Sequence, residues 1–216
     1  MKKLPTLASV LILIAIPFGY ACYLYPGLPE QIPVHFNING EADNWSSKEA
    51  IFLSPAIMAV VSLVVYFMLT NIGKIDPKRY FKGEDDAFRR FSLFLVVFLT
   101  LLSLAILYGT AHFKGTFKNL ILPIVSLGLM GMGYFLPKLK QNYFAGFRLP
   151  WALEDEDNWN ATHRLAGTLF GWGGLLQFIG TILLEPKTAT YFFLGLVLLM
   201  ALIPTGYSFW MFKKKK

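Results

Sequence analysis

At 216 residues, with 55% hydrophobic and 16% aromatic residues, the chain is too apolar for an ordinary soluble domain and reads as one integral membrane domain over residues 1–216. The formal net charge of +7 does not point to direct nucleic-acid binding, because most positive charges flank apolar runs instead of lining a soluble face. The single cysteine, Cys22, excludes an intramolecular disulfide, and His35, His112 and His163 are too scattered to announce a metal site.

A bilayer core needs about 20 mostly apolar residues per helix. Six windows qualify: Leu7 to Tyr25, Ile51 to Ile72, Phe91 to Tyr108, Phe117 to Leu136, Leu165 to Leu184, and Tyr191 to Phe212. They predict an all-α membrane protein with six transmembrane helices. The first window competes with a signal peptide, and Gly19-Tyr20-Ala21-Cys22 faintly resembles a lipoprotein cleavage site. It lacks the short aliphatic pattern before the cysteine, so an uncleaved helix is expected. The fourth is weakened by Pro123, Gly128, Gly131 and Gly133, which membrane helices tolerate where neighbours pack closely. In the fifth, Gly167 and Gly171, with Gly174 beyond, predict a flat groove for another helix, and Gln177 an interhelical hydrogen bond. No ionisable residue occupies the centre of any window, which argues against an ion-driven transporter.

Placing the N-terminus inside puts 16 of the 20 basic residues in cytoplasmic segments and leaves Lys48, Lys114, Lys118 and Lys187 outside. That asymmetry predicts both termini in the cytoplasm and a multi-pass protein of the cell membrane. Tyr25 and Trp210 suit the aromatic belts at opposite interfaces. The mixed-charge stretch from Lys74 to Arg90 reads as a solvated connector.

The external loop, residues 26–50, alternates Val34, Phe36 and Ile38 with His35, Asn37 and Asn39 before an Asn39-Gly40 turn signal, which predicts a small hairpin-like cap. Pro29 and Pro33 confine it to an edge. His35, Glu41 and Asp43 offer ligand chemistry for a metal, but one imidazole with two carboxylates is a weak set beside a structural cap in which Asp43 and the asparagines satisfy backbone donors.

The cytoplasmic loop, residues 137–164, carries an acidic run after Pro150-Trp151 that suits the first turn of an interfacial helix. Running on, that helix would align Trp151, Asp155, Trp159 and His163 on one face near Arg148 and Arg164. Such a face suits a partner or an anionic headgroup, and equally a helix anchored among lipid phosphates.

Ile32-Pro33-Val34-His35-Phe36-Asn37 with Gly40, Asp43 and Trp45 outside, and Asn142-Tyr143, Gly146-Phe147-Arg148, Pro150-Trp151 and Trp159-Asn160-Ala161-Thr162-His163-Arg164 inside, strongly resemble the SdpI family of bacterial membrane proteins. Leu149 and Ala152 depart from it, standing where threonine is frequent. The resemblance implies an immunity role against a secreted peptide toxin, and a family in which a small transcriptional repressor can be captured at the membrane.

Two functions follow as expectations. The first is a non-catalytic binding protein whose cap, with His35, Asn37, Gly40, Asp43 and Trp45, meets a ligand outside. Its inner surface of Asn142, Tyr143, Arg148, Pro150, Trp151, Trp159, His163 and Arg164 then meets a partner. Membrane lipids surround both, and no cofactor, metal ligand or catalytic residue is assigned. The second is an enzyme or carrier for a lipid phosphate, with Arg148 and Arg164 clamping the anion, Asn142 orienting it and His163 moving a proton. A small uncoupled transporter is a third class.

Overall fold

The computed structural model describes residues 7–78, 85–112 and 120–215. Helix α1 (Leu7–Leu24) runs into a hairpin of β1 (Gln31–Phe36) and β2 (Ala42–Ser47), and a 3-10 turn, Lys48–Phe52, leads into α2 (Leu53–Thr70). The short α3 (Ile72–Ile75), α4 (Asp86–Ala111), α5 (Ile121–Phe135), α6 (Glu156–Leu183) and α7 (Pro186–Lys214) complete the chain. Among the described residues, six helices are long and apolar enough to cross a membrane, matching the six apolar windows. The start of the fourth window at Phe117 lies outside the described residues, as do Lys2, Lys3, Arg79, Lys82, Lys114, Lys118 and Lys216.

Helices α1, α2 and α4 pack together, α5, α6 and α7 pack in sequence, and α4 against α5 joins the two sets. The buried side chains within these helices are often small or hydroxylic, among them Ser62, Ser103, Ser126 and Ser208, while Ile12, Val60, Val64, Leu183 and Leu202 are more than half exposed. That inversion of the soluble pattern is what packing in lipid requires, where close backbone approach replaces the hydrophobic effect. The predicted groove on α6 is filled by α5: a Cβ on Gly133 would meet the backbone of Gly167 and Gly171, and one on Gly174 the backbone of Met130. Gln177 donates to the Phe193 carbonyl of α7 at 2.9 Å, the expected interhelical bond.

At one end of the bundle the hairpin is seated by Ile32, buried with Ala21, Ile51 and Leu107. Its turn differs from the two-residue Asn39-Gly40 signal. The Gly40 amide donates to the Asn37 carbonyl and the Asn37 amide to the Glu41 carbonyl, each at 2.8 Å, so Ile38, Asn39 and Gly40 form a three-residue loop. Gly40 sits in the left-handed region at φ 77°, which a side chain would strain. The predicted alternation also fails, because the register shifts between Pro33 and His35 and again between His35 and Phe36, leaving Val34 and Ile38 exposed.

At the other end, a separate interfacial helix is absent from the described residues. The residues after Asp155 belong to α6 itself, which begins at Glu156, well before the expected start at Leu165. Asp155 sets that boundary as the N-cap, its carboxylate accepting from the amides of Asp157 and Asn158. Trp151 therefore lies in a turn, and of the four residues expected on one helical face only Trp159 and His163 lie within the helix.

Candidate functional site

The segment 139–155 links α5 to α6 without regular secondary structure, so its buried backbone groups need partners from elsewhere. Asn142, fully buried, supplies most of them. Its carboxamide oxygen accepts from the amides of Phe144 (2.8 Å) and Ala145 (2.7 Å), and its nitrogen donates to the carbonyls of Lys140 (2.8 Å) and Ala145 (3.0 Å). Gln141 donates to the Ala152 carbonyl at 2.8 Å, and Lys140 pairs with Asp85, the N-cap of α4, at 2.8 Å. The loop is thus tied into a defined shape at both edges.

His163 closes the loop onto α6. One ring nitrogen, Nδ1, lies 2.8 Å from the Trp159 carbonyl, and the other, Nε2, accepts the Phe147 amide at 3.0 Å. Accepting at Nε2 requires an unprotonated nitrogen there, so the proton resides on Nδ1 and the ring is neutral. The imidazole stacks on the Trp159 indole, centroids 3.9 Å apart, and the indole donates to the Leu139 carbonyl at 2.8 Å. Both rings are buried, and Gly146, at φ 104°, lies so close that a Cβ would collide with His163 Nε2. With both nitrogens occupied and no access to solvent, His163 in this conformation orders the loop and has no free position for proton transfer.

A second buried network fastens the site to α7. Asn158 donates to the Ser208 carbonyl at 2.9 Å, while its own side-chain oxygen accepts the hydroxyls of Thr162 and Ser208. The Trp151 indole donates to Ser208 Oγ at 2.9 Å and packs on Phe209 and Phe212. Ala152, Leu153 and Trp159 form a cluster with Tyr143, Leu149 and Trp151 packed around it. The two positions that depart from the resemblance, Leu149 and Ala152, therefore serve packing, and a hydroxyl at the fully buried Ala152 would need its own partner.

What the loop shows outward is Arg148, Pro150 and the acidic Glu154, Glu156 and Asp157, with Arg164 on the outer side of α6. Arg148 Nη1 donates to the Tyr143 carbonyl at 3.1 Å, and the rest of its side chain is exposed. So the structure gathers Asn142, Tyr143, Trp151, Trp159 and His163 into one knitted unit and leaves the two arginines at its surface. Sequence reasoning missed Asp76 and Ser208. Asp76, from the stretch read as a solvated connector, is buried, accepting the amides of Tyr143 at 2.9 Å and Lys78 at 3.0 Å. The Asp76-Pro77 dipeptide, a turn signal, was the available clue.

In the hairpin, His35 and Asp43 are joined at 2.6 Å and exposed, and Asn37 organises the turn through the amides of Asn39 (2.9 Å) and Glu41 (3.0 Å) and the Glu41 carboxylate (3.0 Å). Glu41 is thus engaged with Asn37, apart from the His35–Asp43 pair, and no group of three or more His, Cys, Asp or Glu suited to a metal is present among the described residues. Asp43 pairs with the imidazole, while the asparagine role in satisfying backbone donors falls to Asn37. Trp45 is exposed and pairs in register with Pro33.

Six apolar helices, a seated hairpin at one end and a buried Asn-Trp-His loop at the other mark a multi-pass membrane protein. Residues 138–208 match the SdpI/YfhL protein family, and residues 12–59 match a domain of unknown function, DUF1648. The chain is 26% identical to Immunity protein SdpI of Bacillus subtilis over 207 residues, covering 94% of each chain. The chain is thus similar to the SdpI/YfhL family, through that model over its last third and through this relative over nearly its whole length. It is also 34% identical over 55 residues to an uncharacterized protein of Archaeoglobus fulgidus, covering 26% of this chain and 30% of that one. No solved structure matches.

Proposed function

We propose that this chain is an immunity protein that protects its cell's membrane from a secreted peptide toxin, with the hairpin facing outside and the Asn142–His163 loop facing the cytoplasm. The observation that carries this reading is similarity along nearly the whole length to a protein named for immunity, spanning both the hairpin and the loop. The basic residues favour the orientation. The hairpin then meets the toxin, and the outward face of the loop, with Arg148, Pro150 and the acidic residues, meets a regulator inside. The test is deletion of the gene followed by challenge with peptides secreted by its own species and relatives. Deletion is expected to sensitise cells, the parent gene to restore protection, and Gly40→Val to fail to restore it at normal membrane abundance. Unchanged resistance of the deletion strain to every peptide rejects the immunity reading, and full protection by Gly40→Val removes the hairpin from toxin sensing.

A further inference from the structure

Two grooves open on the outer flank of α6 and meet at Thr168. One, of about 490 Å³, lies between α6 and α7 and is lined by Arg164, Thr168 and Tyr207. The other, of about 410 Å³, lies between α5 and α6, where Gly167 and Gly171 are flanked by Tyr134 and Trp172. Arg164, Thr168, Gly171 and Trp172 recur at helical spacing and so share one face. The polar end of this surface is cationic. The Arg164 guanidinium is exposed and has no partner among the described residues, and Lys138 Nζ sits over the Tyr134 ring. From there the surface becomes apolar toward mid-helix, with Trp172 69% exposed.

A cation at the edge of an apolar span, beside grooves that run toward the bilayer centre, matches a molecule with an anionic head and an apolar tail. We propose that this flank seats one anionic glycerophospholipid, its phosphate on Arg164 and an acyl chain over Gly171. A second copy of this chain fits less well. The glycines that permit close approach are already occupied, Gly133 against Gly167 and Gly174 against Met130. Tyr134 and Trp172 are both exposed and line the space that remains, so the groove is walled by their rings and not by small residues alone. The Gly171 Cβ direction is open, with nothing within 4 Å, so the groove there is unfilled by the protein itself.

Native mass spectrometry of detergent-purified protein exchanged against phosphatidylglycerol and phosphatidylcholine of matched chains tests this. The parent is expected to retain phosphatidylglycerol preferentially. Arg164→Gln, a change at an exposed side chain, should weaken that retention about tenfold, the loss of one charge-assisted contact, and narrow the preference over phosphatidylcholine, whose choline already offsets the phosphate charge. Gly171→Leu, which fills open space, should reduce retention of both lipids. Equal retention of the two lipids by the parent, or unchanged phosphatidylglycerol retention in either variant, overturns the proposal. A dimer dispersed by Gly171→Leu overturns it in favour of a second copy. Because the readout is lipid on purified protein, its failure leaves the immunity reading standing.

Discussion

The backbone amide of Phe147 donates to His163 Nε2 at 3.0 Å, and Gly146 one residue earlier approaches the same nitrogen so closely that no Cβ fits. This juxtaposition makes the Gly-Phe-Arg and Thr-His-Arg stretches two halves of one joint. Gly146→Ala both strains a backbone at φ 104° and pushes the imidazole off its acceptor position. His163→Ala instead leaves the Phe147 amide buried without a partner, at a cost of roughly 1 to 3 kcal/mol. The double variant should be less destabilised than the sum of the two, since removing the ring relieves the collision. Thermal unfolding of the four proteins in detergent measures the coupling, and simple additivity argues against the joint.

Much of this architecture is legible in sequence because long apolar runs leave few alternatives in lipid. The hairpin was legible too, from the Asn39-Gly40 turn signal, although the alternation read beside it does not survive the register shifts. Contacts between distant spans were not. Asp76 reaches Tyr143 and Asn158 reaches Ser208 across 67 and 50 positions, and neither pairing leaves a periodic trace. The four-residue spacing of Trp151, Asp155, Trp159 and His163 misled because it presumed helix before Asp155, whose short carboxylate caps the helix where it stands. The burial of His163 was equally hidden, since residue type alone does not say whether an imidazole faces solvent or a neighbouring amide.

Asp155 joins that cap to the end of the chain. Its carboxylate accepts from Lys215 at 2.7 Å, which, with the Asp157 and Asn158 amides, holds its pKa below the ordinary carboxylate value against the opposing effect of burial. A depressed folded pKa means the stabilisation is present above the unfolded value, roughly 4, and is lost as pH falls through the folded one. Protection of the Asp157 and Asn158 amides from hydrogen exchange should therefore be lost only below the ordinary carboxylate range. Lys215→Gln removes the largest contribution and should move that loss to higher pH. An exchange profile indifferent to Lys215→Gln disconnects the chain end from the cap.

The proposed orientation is tested by single cysteines in a Cys22→Ser background. Ser47 at the hairpin and Asn160 on the first turns of α6 are both exposed, whereas Asn158 is buried and unsuited to labelling. An impermeant maleimide added to intact cells should label Ser47→Cys and spare Asn160→Cys until the membrane is opened. The opposite pattern inverts the protein, and with it the assignment of hairpin and loop to toxin and regulator.

Arg148 separates a loop that recognises something from one that merely holds its shape. One nitrogen of its guanidinium is spent on the Tyr143 carbonyl, whose own amide is held by Asp76, and the exposed remainder of the fork is oriented by that tether. Lysine at this position keeps the charge but has no planar fork to satisfy the carbonyl and a carboxylate or phosphate at once. Arg148→Lys is therefore expected to leave thermal stability nearly unchanged, because an exposed arginine bonded to one carbonyl contributes little to folding. Because the proposed protection draws on the partner inside as well as on the hairpin outside, it should nevertheless fall, by about tenfold to a hundredfold in the toxin concentration tolerated, for the loss of one charge-assisted contact of about 1.5 to 3 kcal/mol. Arg148→Gln should be no better than lysine. The measurement is survival under toxin challenge at matched membrane abundance, with unfolding followed in parallel. Parent-like survival of both variants would show that Arg148 only fastens the loop, and the regulator-facing surface would then have to be sought among Pro150 and the acidic residues beside it.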